Sequence, residues 1–388
     1  MKKKILRALS YVLVAVVAAT LTLGVYVRFY QREPGKLEVL EDLIQERFIG
    51  EVDQTAIEDA AASAMVDALG DQWSGYLSAA QYASYQEQMS NSYVGIGITI
   101  QVREDNVGFD IVKVEPGGPA AEAGILPGDI LIEAAGQDVA ALGTGGAKEI
   151  IQGEVGTQVE IGVLRAGQEL SFTVTRNQIV VIVASGRMLE DNIGLVTINN
   201  FNSRCAEESI AAIEALLAEG AEAIIFDVRF NPGGYANELV ELLDYLLPEG
   251  ELFRTVDYAG NEDVDVSDAA CLEIPMAVLV NGSSISAAEF FAAALNDYDA
   301  AVVVGEPTCG KGYFQKTFSI SDGSAVTISV GKYFTPNGVS LADEGGLTPD
   351  IPVVMETEAA ALLYADLLEP EDDVQLQAAL EALKAVLK

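Results

Sequence analysis

An α/β core carrying an inserted small β-rich domain is the fold class this sequence predicts, and three observations predict it. The chain has 388 residues, too many for one ordinary core. From about Val181 onward, short apolar runs such as AIIFDVRF, PMAVLVN and AAVVVGE alternate with amphipathic helical stretches, the pattern of a sheet covered on both faces. Between residues 91 and 178, strands and tight glycine turns dominate instead, with room for about six strands and two short helices.

Composition narrows the function classes. Half of the residues are apolar and 36 are glycine, as expected of a folded chain with many turns. The 59 acidic against 22 basic residues give a net charge of -37, which argues against nucleic acid and anionic membrane surfaces as partners. The acidic run ETEAAALLYADLLEPEDD near the C-terminus reads as a solvated helical face. Cys205, Cys271 and Cys309 are few and far apart, so neither a disulfide framework nor a CxxC metal site is expected, and no cofactor is called for. Histidine is absent. That removes Ser-His-Asp triads, His-paired cysteine nucleophiles and HExxH zinc sites.

The elements are taken in chain order. Lys2, Lys3, Lys4 and Arg7 precede an apolar stretch from Ala8 to Val27, about the 20 residues that span a hydrocarbon core. Four positive charges before it against Arg28 and Arg32 after it predict an N-in signal anchor over residues 1–30; cleavage near Ala18-Ala19 is the alternative. Everything after about residue 30 is then expected outside the cytoplasmic membrane. Residues 31–36 read as a linker and 37–90 as a helical region interrupted by the turn DQWSGYL, suited to packing on the core or forming a homo-oligomer. Residues 91–178 form the inserted domain, 181–355 the α/β core, and 356–388 a helical segment broken at Glu369-Pro370.

In the inserted domain the segment Val94-Gly95-Ile96-Gly97 can expose consecutive backbone N–H groups to a peptide carboxylate. The following strand, Ile98 to Val102, offers an edge for strand addition. With GPAAEAGILPGDIL, this stretch resembles a PDZ domain of the bacterial protease type. The resemblance implies recognition of substrate C-termini.

The candidate chemistry lies in VNGSSISAAEFFAAAL and GEPTCGKGYFQK. Ser286 follows a buried strand and opens a helix. Its Ser-x-x-Glu spacing to Glu289 is a capping box, so a purely structural cap is one reading. The same helix N-terminus offers N–H groups to a developing oxyanion, with the amide of Ala287 as first donor. The glycine turn Asn231-Pro232-Gly233-Gly234 after another strand is the source expected for the second. Lys311, between Gly310 and Gly312, is the candidate base. Its ordinary pKa of about 10.4 would have to fall by about 3 units, roughly 4 kcal/mol, for it to be neutral near pH 7. Lys311, Tyr313 and Gln315 are expected on one strand face, where the Gln315 carbonyl would accept a hydrogen bond from the lysine amine.

This constellation is similar to the carboxy-terminal processing (tail-specific) peptidases, serine proteases with a Ser-Lys dyad supported by Gln. DVRFNPGG, VGEPTCGKG, DGSAVTISVGKYFTPNG, GLTPDI and DQWSGYL carry the likeness across about residues 37–353. It implies Ser286 as nucleophile, Lys311 as general base, Gln315 as its partner and Ala287 with the Gly233 turn as oxyanion hole, on a ClpP/crotonase-type core. Ile285, Ala288 and Cys309 depart from the family's usual residues and bear on pocket shape. Two other readings stay open: a non-catalytic PDZ scaffold and a crotonase-like acyl-CoA enzyme.

Overall fold

The computed structural model of the chain describes residues 2–30, 35–103 and 105–387, with side chains of the first helix described for 9–25. Two units separate, residues 1–64 and 65–388. The first holds helices α1 (Lys2–Tyr30), α2 (Lys36–Arg47) and most of α3 (Gln54–Asp67). Helix α1 is one uninterrupted rod of 29 residues, about 44 Å long at the usual rise. The hydroxyls of Thr20 and Thr22 donate back to carbonyls at Val16, Val17 and Ala18, which satisfies them within the helix. Part of the apolar stretch expected from Ala8 to Val27, and the basic residues on both sides of it, have side chains outside the described set. Among the described residues no helix is long and apolar enough to cross a membrane.

The second unit opens with strand β1 (Gly75–Leu77) and helix α4 (Ala79–Ser90). Ser78 and Gln81 form a reciprocal cap at the start of α4, each side chain taking the other's backbone N–H, at 3.4 and 2.9 Å. Asn91, at φ 48°, ends it in the left-handed conformation that asparagine tolerates. The small domain follows: β2 (Ser92–Gly95), β3 (Ile98–Val102), β4 (Phe109–Val114), α5 (Pro119–Ala123), β5 (Ile130–Ala134), β6 (Gln137–Asp138), α6 (Val139–Ile151), β7 (Gln158–Arg165), β8 (Gln168–Thr175) and β9 (Asn177–Val180). Its antiparallel sheet runs β3-β4-β5-β7-β8, with β6 paired to β5. Ile96, Phe109, Ile111, Leu131, Ile161 and Val163 are among the residues of its separate core. Strands β2 and β9 pair from Ser92↔Val180 to Gly95↔Asn177, so the chain enters and leaves through one two-stranded ribbon. Arg204 fastens the foot of that ribbon by donating to the carbonyls of Ser90, Asn91 and Val181.

The remaining elements are β10 (Ala184–Met188), β11 (Ile193–Ile198), α7 (Cys205–Ala218), β12 (Ala223–Asp227), α8 (Ala236–Leu246), β13 (Gly250–Asp257), β14 (Glu262–Ser267), β15 (Met276–Val280), α9 (Ala287–Asp297), β16 (Ala301–Gly305), β17 (Tyr313–Ser319), β18 (Ala325–Phe334), α10 (Leu341–Glu344), β19 (Ile351–Pro352), α11 (Thr357–Tyr364) and α12 (Val374–Val386). A six-stranded sheet, β10-β11-β12-β15-β16-β19, is parallel except at its β10 edge. Alternation of side chains across it accounts for the uniformly apolar strands. Ile224, Phe226, Met276 and Val278 pack with Leu239, Leu243, Phe290 and Phe291 on one face. Ile225, Ala277 and Leu279 pack with Leu376, Leu380 and Leu383 of α12 on the other.

A second, antiparallel sheet runs β1-β18-β13-β14, with β17 also on β18. Its β17–β18 hairpin is where the sequence places it, whereas the β13–β14 hairpin went unread: GELFRTVD has no clear alternation, and the alternating valines of the acidic EDVDVS stay exposed. The acidic run near the C-terminus splits in behaviour. Helix α11 buries none of its residues, but Asp373 at the end of the run is buried and ion-paired.

Candidate active site

Ser286 sits where β15 turns into α9, at φ 58° and ψ -116°. A β-substituted residue held there stores on the order of 1–3 kcal/mol of strain and persists only if its surroundings fix it. They do: the Ile285 N–H donates to the Asn231 carbonyl at 3.0 Å, and the Ser284 hydroxyl donates to the Val228 carbonyl at 2.8 Å. Only half of the expected capping box forms. Glu289 Oε2 accepts the Ser286 N–H at 2.7 Å, while the Ser286 hydroxyl makes no cap hydrogen bond. The serine side chain is therefore not used to cap the helix it opens.

The glycine turn lies directly on the serine. A Cβ at Gly233 (φ +91°) would stand 2.7 Å from the Ile285 carbonyl oxygen, 2.9 Å from Ser286 Cβ and 3.0 Å from the Ala287 nitrogen. Only glycine lets the two backbones approach so closely. The Gly233 N–H donates to Asn231 Oδ1 at 2.8 Å, so it is engaged within its own turn in this arrangement. Just before the turn, buried Arg229 is clamped between Asp227 and Asp373, at 2.6 and 2.7 Å, which ties the strand end to the N-terminus of α12.

Lys311 lies in the segment between β16 and β17, and Glu289 holds that segment in place. Besides Ser286, its fully buried carboxylate accepts the Lys311 N–H at 3.0 Å, the Gly310 N–H at 2.5 Å and the Thr308 hydroxyl at 2.6 Å. The Lys311 ammonium lies 4.8 Å from the centre of the Trp73 ring. Burial lowers the pKa of Lys311 below its ordinary value, opposed by its electrostatic interactions with Glu289, Cys309 and Asp71. No hydrogen bond joins Lys311 to Ser286 among the described residues.

The expectation for Gln315 is corrected. Strand β17 begins only at Tyr313, and its register slips between Phe314 and Gln315, so a simple period-2 face through Lys311 does not exist. Gln315 Nε2 donates to the Tyr313 carbonyl at 3.1 Å and to Ser329 Oγ at 3.0 Å, and no hydrogen bond links it to Lys311. Cys309 is exposed with its pKa raised by burial, and Cys205 is buried and pushed up to about 12; neither is a poised thiolate.

Three contributors escaped the sequence reading of this site: Trp73, Tyr333 and the extent of Glu289's role. Tyr333 is 3% exposed and packs against Phe253 and Phe290. Its hydroxyl lies beside that of Ser286 but outside hydrogen-bond geometry, and burial raises its pKa. The aromatic content of DQWSGYL and VGKYF was the available signal; nothing in sequence spacing brings either to Ser286.

Three of the four residues expected to bind a peptide carboxylate lie along a groove. Gly95, Ile96 and Gly97 (φ +77°) line a groove of about 1100 Å³, together with Ile98, Ile100 and Ile151. Val94 instead belongs to the ribbon, paired with Gln178. The opposite wall is helix α4, through Gln81, Ser84, Tyr85 and Gln88.

Comparison with known proteins agrees with this architecture. Residues 192–353 match the model of peptidase family S41, and residues 111–165 match that of the PDZ domain. The chain is 31% identical to carboxy-terminal processing protease CtpA of Bacillus subtilis, over 85% of this chain and 71% of that protein. It is 32% identical to the carboxyl-terminal-processing protease of Synechocystis, over 85% of this chain and 76% of the relative. A solved S41 protease structure from Bacteroides fragilis shares the fold at 17% identity, with a TM-score of 0.56 over 92% of this chain and 98% of that one. The chain belongs to the carboxy-terminal processing proteases, serine peptidases of family S41 that here carry a PDZ domain.

Proposed function

We propose that the chain is a serine endopeptidase in which Ser286 is the nucleophile and Lys311 its general base. The observation that carries this reading is the strained Ser286, its hydroxyl unused by the helix it opens, tied through Glu289 to the backbone of a desolvated lysine. In the neutral state Lys311 Nζ takes the Ser286 proton as Oγ attacks the scissile carbonyl. The resulting ammonium then gives that proton to the leaving amine as the C–N bond breaks, and a water repeats the sequence on the acyl-enzyme. Ala287 at the N-terminus of α9 supplies one oxyanion donor. The Gly233 amide supplies the other once it exchanges Asn231 for the oxyanion. Gln315 orients the lysine once the side chain reaches it.

The groove beside Gly95–Gly97 holds the substrate's C-terminus, and its occupancy gates cleavage. Helix α1, with Lys2 to Lys4 and Arg7 before its apolar stretch, anchors the chain in the cytoplasmic membrane, with the catalytic domain on the extracytoplasmic side. Helices α2 and α3 bury no residue, which supports self-association through this region. Cleavage of a permanently unfolded protein by wild type, Ser286→Ala and Lys311→Ala tests the dyad, and activity retained in either variant refutes it. Carbonate extraction and protease protection of the full chain test the anchor. Sedimentation of the chain with and without residues 37–64 tests self-association.

A further inference from the structure

Strand β1 and helix α4 face two sites at once. Leu77 and Tyr85 line the peptide groove across from Gly97 and Ile98. Four residues before Leu77, Trp73 lies under the Lys311 ammonium. The residues between are fastened to the sheet that carries Gln315. Gly75 to Leu77 pair with Thr327 to Ala325 of β18. Ser74 Oγ accepts the Ser329 N–H at 3.0 Å, and Ser329 Oγ in turn accepts from Gln315 Nε2 at 3.0 Å.

We propose that Trp73 is a positioning residue for Lys311: it holds the ammonium away from Ser286 until a C-terminal peptide in the groove shifts α4 and β1. The proposal rests on the protease reading above and deepens it. An indole face attracts an ammonium, more so where water is excluded. A lysine held there keeps its amine away from the Ser286 hydroxyl, whose proton it has to accept. The ligand that relieves it is an extended peptide with a free α-carboxylate and an apolar last residue. The loop at Gly95–Gly97 offers backbone to the carboxylate, and Ile98, Ile100 and Ile151 offer an apolar wall. Because the groove's second wall is α4, a bound peptide touches the domain and the segment that ends at Trp73 together. Ligand binding shifts the lysine only through a difference in affinity between the two arrangements of that segment.

Trp73 is the chain's single tryptophan, so its emission reports on the contact directly. The full chain carrying Ser286→Ala is titrated with Gly-Ser-Gly-Ser-Val-Leu as the free acid and as the C-terminal amide. Binding of each is followed separately by calorimetry. The free acid is expected to bind and to change Trp73 emission and acrylamide quenching saturably; the amide is not. In the active chain, Trp73→Leu is expected to raise peptide-free kcat/KM on an unfolded protein about fivefold and to abolish stimulation by the peptide, whereas Trp73→Phe, which keeps a ring, retains stimulation. Binding of the free acid without any change in Trp73 emission overturns the proposal. So does a Trp73→Leu variant whose peptide-free rate is unchanged or lower. Absence of binding overturns the proposal and the peptide-groove reading together. A peptide-dependent emission change in a chain without Ser286-dependent cleavage removes the protease reading while leaving the coupling in place.

Discussion

Glu289 and Lys311 are joined through the lysine's backbone: the carboxylate accepts the Lys311 N–H at 3.0 Å with the same oxygen that accepts the Ser286 N–H at 2.7 Å. One buried side chain thus sets the distance between the two segments that carry the proposed nucleophile and base. Replacing it with glutamine keeps the shape but turns one acceptor oxygen into an NH2 group facing N–H or O–H donors. Glu289→Gln should lower stability by about 2–4 kcal/mol and reduce kcat by roughly 100-fold or more. Chemical denaturation and steady-state kinetics check the two effects, and a variant with unchanged kcat would dissociate Glu289 from the site.

Ser286 adopts a backbone conformation natural only to glycine. Ser286→Gly should therefore be inactive yet more stable than Ser286→Ala, by about 1 kcal/mol. Thermal unfolding of the two variants side by side measures this, since neither carries a hydroxyl. Equal stability would mean that the strain is relieved elsewhere.

A pH profile follows from the direction of the Lys311 shift. Burial lowers its pKa, so kcat/KM should rise with pH as the amine loses its proton, with the midpoint below the ordinary lysine value. The linked effect on stability has a definite sign. Between the lowered folded pKa and the ordinary unfolded one, the unfolded chain binds more protons, so this group's contribution to stability grows as pH rises. It is fully present above the unfolded value and lost as pH falls through the folded one. Lys311→Met should accordingly gain Tm relative to wild type at low pH, and the gain should shrink toward alkaline pH.

Gly233→Ala tests the contact between the two turns. Its methyl group would meet the Ile285 carbonyl and the Ser286–Ala287 backbone at 2.7 to 3.0 Å. Activity should fall by about 100-fold or more, with KM much less affected, while the peptide binding proposed for the groove beside Gly95–Gly97, which lies elsewhere, should not change. Loss of peptide binding in parallel would point to general unfolding instead.

Asp373 reaches Arg229 across the sheet, and both are buried. Asp373→Ala leaves a buried guanidinium short of a partner and should cost about 3–5 kcal/mol. Denaturant melts read this directly. Activity per folded molecule should also fall, because Arg229 stands just before the Asn231–Gly234 turn.

Much of the fold was legible because its signals are local. Unbroken apolar runs marked β12, β15 and β16, and the small-residue turn after PMAVLVN marked the start of α9 at Ser286. The small domain announced itself through glycine turns at short spacing. Strands β13 and β14 were not legible, since a bulge between Glu251 and Phe253 interrupts the pairing of β13, its second partner β18 lies far along the chain, and the faces of both strands are only partly buried. The lysine segment was legible as glycine-flanked, but its departure from strand geometry was not, because a bulge depends on the partner strand.

By itself the sequence determined the order of the domains, the absence of any histidine-based site and the candidacy of Ser286 and Lys311, all properties of residue identity and short-range pattern. Tertiary structure decided what those residues do at rest. It withheld the Ser286 hydroxyl from helix capping, engaged the Gly233 amide with Asn231, turned Gln315 toward Ser329 and set Lys311 over Trp73. Lys311 and Trp73 are 238 positions apart in the chain. Their meeting depends on β1 pairing with β18 and on the buried Glu289 carboxylate, long-range contacts that no local pattern encodes.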